Sequence, residues 1–367
     1  MKRSIMCAAA AAGMLLAAGF AFGAAKPRVE VAFVLDSTGS MGGLIEGAKQ
    51  KIWSIANSII AQKPTPEVRI GLITYRDRGD EYVTKRFDLT DDIDTVFRNL
   101  QSFQADGGGD DPESVNQALH EAVTDLSWSA DRKVLKIVFL VGDYPPHMDY
   151  ADDVKYPVTC REAARREIII DTVQCGDVEE TRSVWQDIAR RAEGSYVALA
   201  QSGNMVAVTT PYDDEIARAS AEIGGTLLPY GERERQEEAR SKVSSAASAP
   251  ASVAADRAAF NLATGGKAIQ GSGDLVADIV EGKVDMKKLK KDELPPEMQK
   301  MSESERTAYV GQQKQKREAL NLKLTDLAKK RAAYVAKEEK RLAAAGGGDS
   351  FDAKVTEMIT EQAARVK

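Results

Sequence analysis

Between residues 28 and 200 the apolar positions follow two alternating rhythms. Compact apolar runs predict strands at 28–35 (V-E-V-A-F-V-L), 68–75 (V-R-I-G-L-I-T-Y), 134–141 (V-L-K-I-V-F-L-V), 168–173 and 195–199, with a shorter and more polar edge strand at 82–87. Between them apolar residues recur every three or four positions, which predicts amphipathic helices. Leu44, Ile45, Ala48, Ile52, Ile55 and Ile59 mark one over 44–61, and others follow at 92–103, 113–126, 161–166 and 181–192. Pro112 stands where a helix start tolerates a missing N–H, and Gly194 where a helix ends.

Strands alternating with helices imply an α/β doubly wound, mostly parallel sheet with helices on both faces. In such sheets ligands bind beyond the carboxyl ends of the strands. Those ends are Leu35-Asp36, Tyr75-Arg76 and Val141-Gly142-Asp143, each followed by polar or Gly-rich sequence.

After residue 200 the rhythm changes. A helix over 213–223 within 201–230 closes the first unit, and residues 231–255, charged and then Ser/Ala-rich around Pro250, read as a linker. Residues 256–367 form a helical C-terminal region: Pro295-Pro296 break it, a long charged helix spans 302–345, Gly346-Gly347-Gly348 end that helix, and a last amphipathic helix covers 351–366. Leu320, Leu324, Leu327 and Tyr334 roughly follow a 4-3 spacing, a coiled-coil signal interrupted by Arg331 and Glu338 at seam positions. That signal leaves oligomerisation through the helix open, beside the simpler reading of a solvated charged face.

The N-terminus adds a destination. Lys2 and Arg3 precede an Ala/Leu-rich apolar run over 5–22 and small residues at 23–25, the pattern of a secretory signal peptide occupying 1–24. The chain is then secreted or periplasmic, and no later stretch is apolar enough to cross a bilayer. Cys160 and Cys175 remain in a compartment that permits a disulfide, so a bridge and a pair of free thiols both stand. A formal charge of −6 over 367 residues offers no basic footprint for nucleic acid.

The chemistry gathers at the strand ends. Asp36-Ser37-Thr38-Gly39-Ser40 supplies one carboxylate and two hydroxyls at a tight strand-to-helix turn. Mg²⁺ takes six oxygens in near-octahedral order, so these three satisfy half a shell. Asp143 offers a second carboxylate, and Gly107-Gly108-Gly109-Asp110-Asp111-Pro112 brings further acidic groups in sequence order. The pentapeptide also suits a helix N-cap, and Asp110 and Asp111 suit partners of a helix dipole. His147 reads as an exposed loop residue or a rim residue of the site, and Trp53, Trp128 and Trp185 as core or core-edge residues.

The run V-L-D-S-T-G-S-M, with the Gly-rich loop and Asp143 following in order, resembles the metal-ion-dependent adhesion site of von Willebrand factor type A domains, over roughly residues 28–199. The resemblance implies a Rossmann-like fold with the site at the top of the sheet. It also implies that Asp36, Thr38 and Ser40 hold Mg²⁺, or Mn²⁺ or Ca²⁺ in its place, with Asp143 binding through water. A protein ligand would complete the shell with an acidic side chain. Where the family has a Thr after a Gly pair, this chain offers Asp110 with Asp111 beside it, which makes the site more acidic.

The function expected is an exported, metal-dependent protein-binding module, not an enzyme. Two alternatives remain: a metal-assisted phosphohydrolase with Asp36 as nucleophile, and a structural envelope protein with a vestigial site. No phosphate-binding Gly-x-x-x-x-Gly-Lys loop or Gly-x-Ser-x-Gly elbow supports an enzyme. Arg78-Gly79-Asp80 spells an adhesive tripeptide, which also suits a simple turn.

Overall fold

The computed structural model describes residues 26–109, 111–205, 207–344 and 350–365. Six strands form one sheet: β1 (Arg28–Asp36), β2 (Glu67–Tyr75), β3 (Thr84–Thr90), β4 (Leu135–Gly142), β5 (Ile168–Cys175) and β6 (Tyr196–Leu199). Their spatial order is β3-β2-β1-β4-β5-β6, parallel throughout except for β3, which runs antiparallel to β2 at the edge. The order reverses at β1, so the carboxyl ends of β1 and β4 open the crevice in which a doubly wound sheet binds ligands. Asp36 and Asp143 stand at those two ends.

β1 and β4 are buried on both faces, which explains their continuous apolar runs. Val29, Val31, Phe33 and Leu35 face α1 (Gly42–Ile60) and α2 (Ile93–Gln101), while Ala32 and Val34 face α3 (Val115–Thr124), α4 (Tyr156–Arg165) and α5 (Glu179–Arg191). Trp53 and Trp185 are fully buried on opposite sides of the sheet, and Trp128 packs at the edge of the second core. Cys160 lies in the core on the α3–α5 face and Cys175 in the core on the α1 face. The sheet therefore stands between them, and both are free thiols. Of the two sequence readings of these cysteines, the structure takes the unbridged one, with both thiols buried.

The second half departs from the sequence reading. Residues 231–255 are not a linker: α6 (Asp213–Gly224) is followed by α7 (Arg233–Ala247) and α8 (Ala251–Ala263), with Pro250 marking only the break between them. α7 packs closely on α6, where a side chain at Gly224 would press on Val243 of α7. Buried cations anchor both helices to the first unit. Arg257 of α8 grips Asp94 of α2 at 2.7 Å and 3.0 Å, and Lys242 of α7 reaches Asp92, the N-cap of α2.

After α9 (Leu275–Val280), α10 (Glu303–Ala344) runs 42 residues, about 63 Å at helical rise. Its seam is used within this chain: Leu320, Leu324 and Leu327 pack against α6 and α8, and Arg331 pairs with Asp213 at 2.7 Å and Asp256 at 2.6 Å. The polar seam position that weakened the coiled-coil pattern is thus an intramolecular anchor. Finally α11 (Phe351–Arg365) returns to the first unit, where Phe351, Val355, Met358 and Ile359 complete the core beneath Phe33 and α1. No helix among the described residues is long and apolar enough to cross a membrane. The predicted signal peptide lies outside the described residues.

Candidate metal centre

Asp36 closes β1 with its carboxyl wholly buried. Its Oδ1 accepts from the Thr38 backbone N–H at 2.8 Å and from the Thr38 hydroxyl at 2.6 Å, so the turn after the strand is fastened to its own carboxylate. The Ser40 hydroxyl lies 3.3 Å from that of Thr38 and is exposed. Ser37 points elsewhere, to the Tyr75 carbonyl and the Tyr82 hydroxyl. The alternation of the sequence motif is therefore visible in space: residues 36, 38 and 40 share one side and 37 does not.

Asp143 comes from the neighbouring strand end. Its Oδ2 accepts from Gln201 at 2.7 Å, and its backbone carbonyl accepts from Thr181. Gly142 lets the strands close up here, because a side chain at that position would overlap the Tyr75 hydroxyl and approach Asp36 Oδ2. The Gly-rich loop is tied to the first loop by Gly39 N–H to Gly107 O at 3.1 Å and Asp106 N–H to Ser37 O at 3.0 Å. Gly107 and Gly108 both have φ of +77°, and any side chain would strike Asp80 at the first and Thr38 at the second.

Asp110, predicted as a metal-site residue, lies outside the described residues. Glu113, three residues further on, is described and lies beside the Gly-rich loop. Its backbone is fixed against the loop after β4, donating to Pro145 O and accepting from His147 N–H, both at 3.0 Å. Its side chain is 2% exposed, with Oε1 3.2 Å from the point where a Gly108 Cβ would sit, a point itself 2.9 Å from the Thr38 Cβ. The sequence assigned Glu113 to the following helix, but α3 begins at Val115 with Ser114 before it. Nothing in helical periodicity signals a buried carboxylate whose position depends on residues 145–147.

At this centre three buried carboxyl oxygens have no hydrogen-bond donor: Asp36 Oδ2, Asp143 Oδ1 and Glu113 Oε2. Burial, then the neighbouring Asp143, pushes the Asp36 carboxyl up to about 8. Burial, then Asp36, Asp77, Asp143 and Asp80, pushes Glu113 up to about 9. Tyr75, buried between these acids, is raised for the same two reasons. Unsatisfied buried acceptors of one charge are costly unless a cation or protons compensate them. Among the described residues no three His, Cys, Asp or Glu side chains converge closely enough to hold a metal alone. The donors that fit a hard divalent cation are therefore mixed: the Thr38 and Ser40 hydroxyls, the free oxygens of Asp36 and Asp143, and water.

The surroundings decide between the alternatives of two further sequence readings. His147 is 6% exposed, not an exposed loop residue; it stacks on Tyr150 with centroids 4.0 Å apart and its Nε2 lies 3.5 Å from Asp77. Arg78 and Asp80 of the adhesive-looking tripeptide are engaged internally. Arg78 pairs with Asp152 and Asp153 and covers the Tyr150 ring, while Asp80 accepts from the Asp77 and Gly108 N–H groups.

Residues 30–210 match the family model described as the von Willebrand factor A domain. A putative ariadne-like RING finger protein R811 from Acanthamoeba polyphaga mimivirus is 29% identical over 119 residues, 32% of this chain and 11% of that protein. The von Willebrand factor A domain-containing protein 7 of Homo sapiens is 35% identical over 100 residues, 26% of this chain and 10% of its own length. The matched stretch thus spans about a tenth of these relatives. Among solved structures, the conserved hypothetical protein BatB from Bacteroides thetaiotaomicron aligns with 15% identity and a TM-score of 0.36, over 59% of this chain and 98% of that one. The family match falls on the sheet and the loops that carry Asp36, Thr38, Ser40 and Asp143, and residues 30–210 of this chain are a von Willebrand factor A domain.

Proposed function

We propose that this chain is an exported protein-binding module that engages its partner through a divalent cation held by Asp36, Thr38, Ser40 and Asp143. The observation that carries the reading is the set of buried carboxylate oxygens without donors beside two adjacent hydroxyls, at the ends of neighbouring strands. Mg²⁺ suits this donor set best, with Mn²⁺ or Ca²⁺ as substitutes. When bound, the cation compensates the carboxylates and leaves a position for an oxygen donor from the partner.

The chain's own residues do the positioning. Asp36 Oδ1 holds the Thr38 amide and hydroxyl, which fixes the turn that presents Ser40. Gln201 steadies Asp143 from the rim and also reaches the Ser40 carbonyl at 3.3 Å. The C-terminal helices α8 and α11 pack against the domain through Arg257 and Phe351. Export rests on the apolar leader over 5–22.

Isothermal titration of Mg²⁺, Mn²⁺ and Ca²⁺ into wild type and Asp36→Ala tests the cation. Binding lost in the variant supports the reading; equal binding by both, or none by wild type, sinks it. Partner recovery from the native envelope with and without chelator tests its use, and an unchanged partner set would count against it.

A further inference from the structure

We propose that Glu113 is the third carboxylate of this centre, standing in the place the sequence assigned to Asp110, and that it turns the site toward neutral oxygen donors and away from acidic partners. The inference rests on the cation-dependent reading above and deepens it. Glu113 is buried, its Oε2 has no donor, and its Oε1 lies against the Gly108 backbone that covers Thr38. Its backbone is held by residues 145 and 147, shortly after Asp143, which ties it to the loop that carries that carboxylate. Asp111, by contrast, is exposed.

The three carboxylates do not converge on one point, so Glu113 faces the cation through water while Thr38 and Ser40 supply the nearer hydroxyls. This is an outer-sphere role, in which a group orients the water and sets the charge around the metal. Asp36, Asp143 and Glu113 together carry three negative charges against two on the cation. A partner carboxylate would enter a centre that is already net negative in a buried setting, where like charges repel strongly. A neutral carbonyl, amide or hydroxyl oxygen meets no such repulsion and can still complete the shell.

The test titrates Mn²⁺ into the full chain as wild type, Glu113→Gln and Asp110→Asn, with circular dichroism reporting the fold of each. Glu113→Gln is expected to weaken binding roughly 10- to 100-fold, as losses of outer-sphere partners do, and Asp110→Asn by no more than about threefold. Equal affinity of Glu113→Gln and wild type overturns the proposal, as does an Asp110→Asn loss matching that of Glu113→Gln. No Mn²⁺ binding by wild type overturns the parent reading as well, which separates the two failures. A second measurement needs only wild type: acetate titrated into the Mn²⁺-loaded protein should leave the water-proton relaxation enhancement unchanged. Acetate displacing the metal-bound water of wild type would overturn the partner preference even if Glu113→Gln did not fold.

Discussion

Replacing Asp36 by Asn should stabilise the metal-free protein while abolishing its response to cations. Asp36 is wholly buried beside Asp143, and its carboxyl is raised from 3.8 to about 8. A carboxyl raised on folding contributes most below its unfolded value, and that contribution is lost as pH climbs from about 4 to about 8. At pH 7 the loss for a single such group is roughly 4 kcal/mol, from about 1.4 kcal/mol per pH unit; at pH 5 it is roughly 1.5 kcal/mol. Asn keeps the acceptor for the Thr38 amide and hydroxyl and offers its NH₂ to Asp143, so it escapes the desolvation without breaking the turn. After allowance for imperfect amide placement, the variant should exceed wild type by about 2–4 kcal/mol at pH 7 in chelator, and by about 1 kcal/mol at pH 5. Urea denaturation followed by circular dichroism at both pH values measures this. A cation at 100 times its Kd should return about 2.7 kcal/mol to wild type and nothing to the variant. An Asn variant no more stable than wild type in chelator at pH 7, or a difference independent of pH, would refute the reasoning.

Cation affinity should itself fall as pH drops below about 8, because protons held by Asp36 and Glu113 compete with the metal; calorimetry in buffers of different ionisation enthalpy should detect proton release, and its absence would contradict the assignment. Arg257→Met should cost roughly 3–5 kcal/mol in urea denaturation, since it leaves Asp94 buried without its cation; adding Asp94→Asn should restore much of the loss. Phe351→Ala should cost roughly 3–5 kcal/mol, because α11 fills the sheet's core and is not a free tail; a change under about 1 kcal/mol would mean that the helix is dispensable. Cys160 and Cys175 should resist maleimide in the native protein and label only on unfolding, since burial raises both thiols and the sheet separates them; rapid labelling of either would overturn that placement.

The sheet was legible because each of its strands is a local pattern. β1 and β4 declare themselves as unbroken apolar runs, and the turn after β1 carries its carboxylate and hydroxyls at fixed spacing. A pattern confined to five residues survives without knowledge of the fold. The residues between 231 and 255 misled for the opposite reason. Their Ser and Ala content is equally that of a solvated linker and of a helix packed at close range, and only Lys242 and Arg257 meeting Asp92 and Asp94 decides between them. Those partners lie about 150 residues or more away in sequence.

The sequence by itself thus determined the parallel α/β architecture and the position of Asp36, Thr38, Ser40 and Asp143 at strand ends, because periodicity and strand termini are written locally; that the two strands are neighbours is a matter of sheet order. Only the tertiary structure decided the rest. It buried Glu113 and His147 by pairing the loop before α3 with the loop after β4. It set Cys160 and Cys175 on opposite faces of the sheet, and it returned α11 to the core beneath Phe33. Each of these outcomes depends on contacts between segments distant in the chain, whose free energy no local pattern records.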